Sequence, residues 1–356
     1  MTIHARTLST MFSTLAVAGL LALAAPPAQS AELSLSRLKL TIDTSQTTVS
    51  GISSGAYMAG QFQVAYSDIV KGAGIVAGGP YDCAEVSNGL ATAVVALQRC
   101  MDVLLGPPDV PALVANAQAR EKAKDIDPLA NLPKSRIYLF NGDNDVTVKR
   151  PVADATEQFY KALGVPDTSF TYVKLPRAAH SFVTDGYGAA CDFIPKEGQK
   201  SEYINNCQYD QAGAILKFLY ADIKIPNAPA AAKQPVLFDQ TPYVGDPSRT
   251  GMATTGYIYV PDACTAGQPC RLHVAFHGCQ MASNLIGDHF ASKTDYNRWA
   301  DVNNIVVLYP QIDAKAKPTS NPKACWDWFG YTGYDFARKG GFQMVAIRKM
   351  IAALAD

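Results

Sequence analysis

Short apolar runs alternate with longer amphipathic stretches along this chain. Gln46 to Ser50 (QTTVS) is rich in β-branched residues and predicts a short strand. Gly51 to Gly55 is a Gly/Ser turn. Ala56 to Tyr66 follows with Met58, Phe62 and Tyr66 at helical spacing. Gly72 to Gly79 (GAGIVAGG) reads as a small, apolar strand, and Arg136 to Phe140 (RIYLF) as another that ends in the polar loop Asn141 to Asp145. Pro151 to Leu163 predicts a helix with proline near its first turn. Ser169 to Leu175 predicts a strand that leads into a loop carrying His180, and Tyr209 to Ile223 an amphipathic helix. Ile225 to Val236 (IPNAPAAAKQPV) reads as a linker. Beyond it come strands at Gly256 to Val260, Arg271 to Phe276 and Asn304 to Tyr309, and a closing helix near Gly341 to Leu354.

Strands alternating with helices predict an α/β fold, a mainly parallel sheet flanked by helices, with the C-terminal ends of the strands facing a common site. The strands after the linker read as more of the same sheet, so 32–356 is expected to be one domain. No internal repeat or low-complexity stretch interrupts it.

Composition changes the picture at the chain's start and at its cysteines. Of the 356 residues, 31 are basic and 31 acidic, so there is no basic excess to serve as a nucleic-acid footprint. Arg6 lies in a short polar start, a small-and-apolar run spans about Met11 to Ala25, and small residues surround Ala28 to Ala31. That order predicts an export signal over 1–31, and the apolar run is short for a membrane anchor. All eight cysteines follow it: Cys83, Cys100, Cys191, Cys207, Cys264, Cys270, Cys279 and Cys325. An even number in an exported chain points to disulfides. Close spacing suggests 83 with 100, 191 with 207 and 264 with 270, which leaves 279 with 325, although other connectivities are open. No CxxC pair or Cys/His cluster has zinc-ligand spacing, so no metal is expected.

Gly51-Ile52-Ser53-Ser54-Gly55 matches G-x-S-x-G. A serine on a sharp strand-to-helix turn exposes its hydroxyl above the sheet, and the amide of the next residue faces the oxyanion that develops there. Ser53 is therefore the candidate nucleophile and the Ser54 amide a donor. The base should lie in a loop after a strand, where His180 stands. His273 sits inside a predicted strand as a packed side chain, and His289 has no evident partner. The orienting acid should fall between serine and histidine in chain order, and both Asp143 and Asp145 qualify; either could instead cap a turn. His277-Gly278-Cys279 follows the strand RLHVAF, where an HG motif supplies the second oxyanion donor, the Cys279 amide, with His277 as a structural hydrogen-bonding residue. This motif normally precedes the serine. Here it follows by more than two hundred residues, an order that a circular permutation would produce.

The motifs resemble the single-domain, circularly permuted poly(3-hydroxybutyrate) depolymerases of the α/β-hydrolase superfamily. The resemblance is carried by SGISSGAYM (50–58), GGPYDC (78–83), DVTV (145–148), HSFVTD (180–185), NCQYDQA (206–212), HVAFHGC (273–279), YNRWADVN (296–303) and CWDW (325–328), in order over nearly the whole chain after the signal. It implies a triad of Ser53, Asp145 and His180, oxyanion amides from Ser54 and Cys279, and Trp328 against the polymer in a crevice. It implies the four disulfides above, with Cys279–Cys325 tying the oxyanion loop to the tryptophan segment. The implied activity is secreted ester hydrolysis of a solid or oligomeric polyester through an acyl-enzyme. It needs no cofactor, nucleic acid or membrane, and the enzyme is expected to be a monomer outside the cytoplasm, in periplasm or medium. A feruloyl or cutin-type esterase of the same fold is the alternative, and a non-catalytic polymer-binding protein a more distant one. The run from Leu104 to Lys134 departs from the pattern, and no separate substrate-binding domain is expected.

Overall fold

The computed structural model describes residues 1–2, 33–86, 89–227, 233–317 and 319–355. The expected export signal over 1–31 and the middle of the linker fall outside the described residues. Glu32–Asp356 forms one compact unit. Eleven strands are described in it: β1 Thr47–Ile52, β2 Val70–Val76, β3 Arg136–Gly142, β4 Phe170–Leu175, β5 Phe182–Thr184, β6 Ala189–Ala190, β7 Ile204–Asn206, β8 Val236–Asp239, β9 Thr255–Tyr259, β10 Arg271–Phe276 and β11 Ile305–Tyr309. Eight of them make one sheet in the order β4-β3-β2-β1-β10-β11-β9-β8. The first six run parallel, and β9 pairs antiparallel with both β11 and β8. The strands before the linker thus lie on one side of the β1–β10 seam and those after it on the other.

The helices that position the site are α1 Ser54–Ala65, α2 Thr92–Gln98, α3 Val110–Lys122, α4 Arg150–Ala162 and α5 Gln211–Tyr220. Every residue of β1 and of α1 is buried. A parallel strand covered on both faces needs this near-continuous burial. The two main core clusters lie on opposite faces of the sheet: one around Val49, Phe62, Leu139 and Trp326, the other around Ile52, Phe140, Leu216 and Trp299. Boundaries depart from the expected ones for local reasons. α1 begins at Ser54 because Ser53 is its N-cap, and β2 stops at Val76 because Ala77 has φ +50°. α5 starts where the Asp210 carboxylate accepts the Gly213 N–H at 2.8 Å, and stops at Ala221 with φ +61°. The linker assignment runs one residue too far, since Val236 already pairs with Ile258 in β8. Helices α2 and α3, strand β8 and the small sheet β5-β7-β6 were not anticipated from the pattern of residues.

Four disulfides close: Cys83–Cys100, Cys191–Cys207, Cys264–Cys270 and Cys279–Cys325. No described helix is long and apolar enough to cross a membrane.

Candidate active site

Ser53 sits between β1 and α1 with φ +56° and ψ −120°, a left-handed conformation that side-chain-bearing residues rarely adopt. Its flanking glycines are required by contact. A Cβ on Gly51 would lie 2.2 Å from the Gly55 carbonyl oxygen, and one on Gly55 2.3 Å from that of Phe276. The helix can therefore press against β1 and β10 only without side chains at these two places.

The Asp145 carboxylate is fully buried, and its Oδ1 accepts the N–H groups of Thr147 and Val148, both at 2.9 Å. Its Oδ2 lies 2.9 Å from Nδ1 of His180, whose side chain is one-tenth exposed. The alternative acid, Asp143, is half exposed and forms an ion pair with Arg150. Backbone bonds from Asp143 N–H to the Leu175 carbonyl and from Asn144 N–H to the Ala178 carbonyl, each 3.0 Å, tie the two loops together. The charge of Asp145 also acts on Tyr57, whose hydroxyl is held well above the usual phenol range by burial first and by that carboxylate second.

The HG motif reaches the same place from the far end of the chain. A Cβ built on Gly278 would lie 3.5 Å from the Ser53 Cβ and 3.3 Å from the Ile52 carbonyl oxygen. The parallel register explains this: Gly51 pairs with Phe276, so Ser53 and Gly278 each stand two residues further along adjacent strands. The amides of Ser54, in the first turn of α1, and of Cys279 donate to no described acceptor. Ser53, His180 and Cys279 line one cavity of about 370 Å³, together with Ile52, Leu97, Met101, Met281, Trp328 and Phe329. That size falls in the range of small-molecule sites.

With this geometry in view, likeness to known proteins becomes informative. A poly(3-hydroxybutyrate) depolymerase of Delftia acidovorans is 43% identical over 316 residues, covering 88% of this chain and 60% of that protein. A polyhydroxybutyrate depolymerase of Talaromyces funiculosus is 39% identical over 349 residues, 95% of this chain and 96% of the relative. The chain belongs to the polyhydroxybutyrate depolymerase family. The crystal structure of the family member from Penicillium funiculosum matches with a TM-score of 0.78 at 34% identity, over 92% of this chain and 99% of that one. A PHB depolymerase complexed with an R3HB trimer matches equally well. No family model matches the chain. The chain spans about 60% of the length of its Delftia relative.

Within this depolymerase family member the other described histidines have structural partners. His277 is buried, donates from Nδ1 to the Gly278 carbonyl at 2.8 Å, and accepts the Ile312 N–H at 3.3 Å. Burial pushes it down to about 4, so it stays neutral. His273 is buried between Thr48 and Ser50 and pushed down to about 3 for the same reason. His289 pairs with Glu202 at 2.8 Å, outside the cavity that Ser53 lines. Among the described residues no group of His, Cys, Asp or Glu is placed to hold a metal ion.

Several residues behind the cavity wall escaped the sequence reading. Tyr57 stacks on Trp328 with ring centroids 4.2 Å apart and an interplanar angle of 14°. The buried Asp327 carboxylate gathers the N–H groups of Gly330, Tyr331 and Thr332 and so shapes the loop that presents Trp328. Val95 and Ala96 of α2 share a buried apolar cluster with this tryptophan. Tyr57, four residues after Ser53, had a faint signal in SSGAY; α2 had none.

Proposed function

We propose that the chain hydrolyses poly(3-hydroxybutyrate) by acyl transfer through Ser53. The reading rests on one observation above all: Gly278 abuts Ser53 at the rim of the cavity that His180 lines, with Asp145 behind the imidazole. His180 uses Nδ1 to bond Asp145, which leaves Nε2 to take the Ser53 proton as Oγ attacks the ester carbonyl. The carboxylate holds that tautomer and stabilises the imidazolium. The free amides of Ser54 and Cys279 are the oxyanion donors, worth about 3 kcal/mol each by analogy with other acyl-transfer sites. The imidazolium then protonates the departing alkoxide, and water releases the 3-hydroxyacyl group by the reverse sequence. Trp328, fixed by its stack on Tyr57, is the apolar wall for the polymer. The names of the two relatives and the trimer complex of the structural neighbour support the substrate.

The reading extends to topology and location. The sheet order, with the late strands β8–β11 inserted ahead of β1, supports a circularly permuted α/β-hydrolase domain over 32–356. Four disulfides support export, with 1–31 as the leader, and the enzyme is taken as a monomer in periplasm or medium.

The deciding experiment is loss of turbidity of a poly(3-hydroxybutyrate) suspension with wild type and Ser53→Ala side by side. Clearing by wild type alone is the expected result. No clearing, with Ser53-dependent hydrolysis of a soluble aryl ester, would move the substrate to the feruloyl or cutin class.

A further inference from the structure

A second cavity, about 620 Å³ in volume, adjoins the catalytic one. The two share Gln280, Pro322 and Lys323 in their walls. The partition is held by hydrogen bonds. The Gln280 N–H donates to the Lys323 carbonyl at 2.7 Å, and the Gln280 side-chain amide donates to the Tyr203 hydroxyl at 3.1 Å. Tyr203 stands edge-on to His180, with ring centroids 6.4 Å apart. The second cavity therefore opens beyond the neighbours of the base and away from the Trp328 wall.

Its charged lining holds two lysines against one carboxylate. Lys200 and Lys323 line it and are exposed, and among the described residues neither belongs to an ion pair. The carboxylate in the same wall, Glu202, is already engaged, by His289 at 2.8 Å and by the Tyr187 hydroxyl at 2.8 Å. Two ammonium groups outside any described ion pair thus border a space that shares a wall with the catalytic cavity.

The direction of a 3-hydroxyacyl polyester gives this charge a use. The fragment held on Ser53 keeps the hydroxyl end of the chain. The alcohol that leaves begins the fragment ending in a free carboxylate, and it departs with the proton of His180, hence on the His180 side. On that side stands Tyr203, and beyond it and Gln280 lies the second cavity. We infer that this cavity is a leaving-side subsite for the free carboxylate of short 3-hydroxyacid oligomers, with Lys200 and Lys323 as its counter-charges. The inference rests on the polyester reading of Ser53. It makes the enzyme discriminate oligomers by their terminal charge, while long polymer, whose carboxylate lies far from most scissile bonds, is cut without regard to it.

The test compares the trimer of (R)-3-hydroxybutyrate as free acid with its methyl ester, in kcat and KM, at low salt. For Lys200→Met/Lys323→Met the KM of the acid should rise about five- to tenfold, as expected for two partly solvated charge pairs. The acid-to-ester ratio in KM should rise by the same factor, whatever change the two trimers share. Lys200→Arg/Lys323→Arg should keep the wild-type preference, and about 0.5 M salt should erase it. An unchanged acid-to-ester ratio in the methionine variant would overturn the subsite and leave the polyester reading standing. A wild type that cleaves neither trimer and clears no polymer would overturn the polyester reading, and the subsite with it.

Discussion

Asp143 and Asp145 lie two residues apart in the same loop, and their roles can be separated by one conservative change at each. Asp145→Asn preserves the shape of the side chain. Its carbonyl oxygen can still accept the N–H groups of Thr147 and Val148, now bonded to Oδ1 at 2.9 Å. The amide NH₂ must then occupy the Oδ2 position, 2.9 Å from Nδ1 of His180. A donor there forces Nδ1 to act as acceptor, which places the ring proton on Nε2, where it cannot receive the proton of Ser53. The loss expected from a wrong tautomer is about 10⁴ in kcat. At 1.36 kcal/mol per factor of ten this is about 5 kcal/mol of transition-state stabilisation. Asp143→Asn removes only a half-exposed partner of Arg150, an interaction worth at most about 1 kcal/mol of stability. Its kcat should stay within about twofold of wild type. The assay is initial-rate hydrolysis of a soluble 4-nitrophenyl ester, with circular dichroism to show that both variants fold. The reasoning fails if Asp145→Asn keeps more than a tenth of the wild-type kcat, or if Asp143→Asn loses as much as Asp145→Asn.

Three further outcomes are expected. Ser53 holds a backbone conformation that a glycine adopts freely, so Ser53→Gly should be inactive yet melt higher than the equally inactive Ser53→Ala, by about 1 kcal/mol or a few degrees in Tm; a lower melting point for the glycine variant would show that the turn is unstrained. Cys279–Cys325 closes a loop spanning 46 residues, so Cys279→Ser/Cys325→Ser should lose about 4 kcal/mol in urea unfolding. It should also lose kcat for soluble esters as the Cys279 amide drifts, and an active, equally stable double variant would remove the bond from the site. His277 and His273 are held neutral at about 4 and about 3, below the 6.5 of a free imidazole, so the unfolded chain binds protons that the folded chain does not. Their contribution to stability is complete above pH 6.5 and declines as the pH falls toward 4 and then 3; the urea midpoint of His277→Gln should vary less over that window than that of wild type, and an identical slope would assign the acid sensitivity elsewhere.

The elements that were legible are those whose residues meet a period or a punctuation. The motif at 51–55, the buried strand RLHVAF and the helix at 151–163 are local patterns, and each lies within a few residues of its expected bounds. The elements that were not legible fail locally. Helix α3 (VPALVANAQAREK) buries only Leu113, Ala117 and Arg120, so its alanine-rich outer face blurs the stripe. Helix α2 is hidden for the opposite reason: Val94 and Leu97 are apolar but exposed, while Ala96 is small and buried. Strand β8 is a short edge strand in which only Phe238 is buried. The choice of Asp145 over Asp143 was open on spacing because the loop offers both carboxylates the same reach. What separates them is depth: one is sealed beneath His180 and the other faces water beside Arg150.

His273 shows how the two distant halves of the site are aligned. Tyr220 has one hydroxyl proton and gives it to the Leu272 carbonyl at 2.9 Å, so it can only accept from Thr48 at 2.7 Å. Thr48, having donated, must accept from Nδ1 of His273 at 2.7 Å. Nε2 is then a lone pair and accepts from Ser50 at 2.7 Å, and Ser50 in turn accepts from Tyr296 at 2.5 Å. Every proton in this buried chain has one direction, and a neutral imidazole is the only form that satisfies it. That explains two polar residues, Thr48 and Ser50, at the centre of a fully buried strand. A fully satisfied buried network favours one arrangement over its neighbours. Slipping β10 by one residue against β1 would remove His273 from both partners and leave buried hydroxyls unpaired, at about 1–3 kcal/mol each. The register thus held places Gly51 beside Phe276, and two residues later Ser53 beside Gly278. The alignment of Ser53 and the HG loop therefore depends on side chains that never touch the cavity, and on a histidine whose value lies in not titrating.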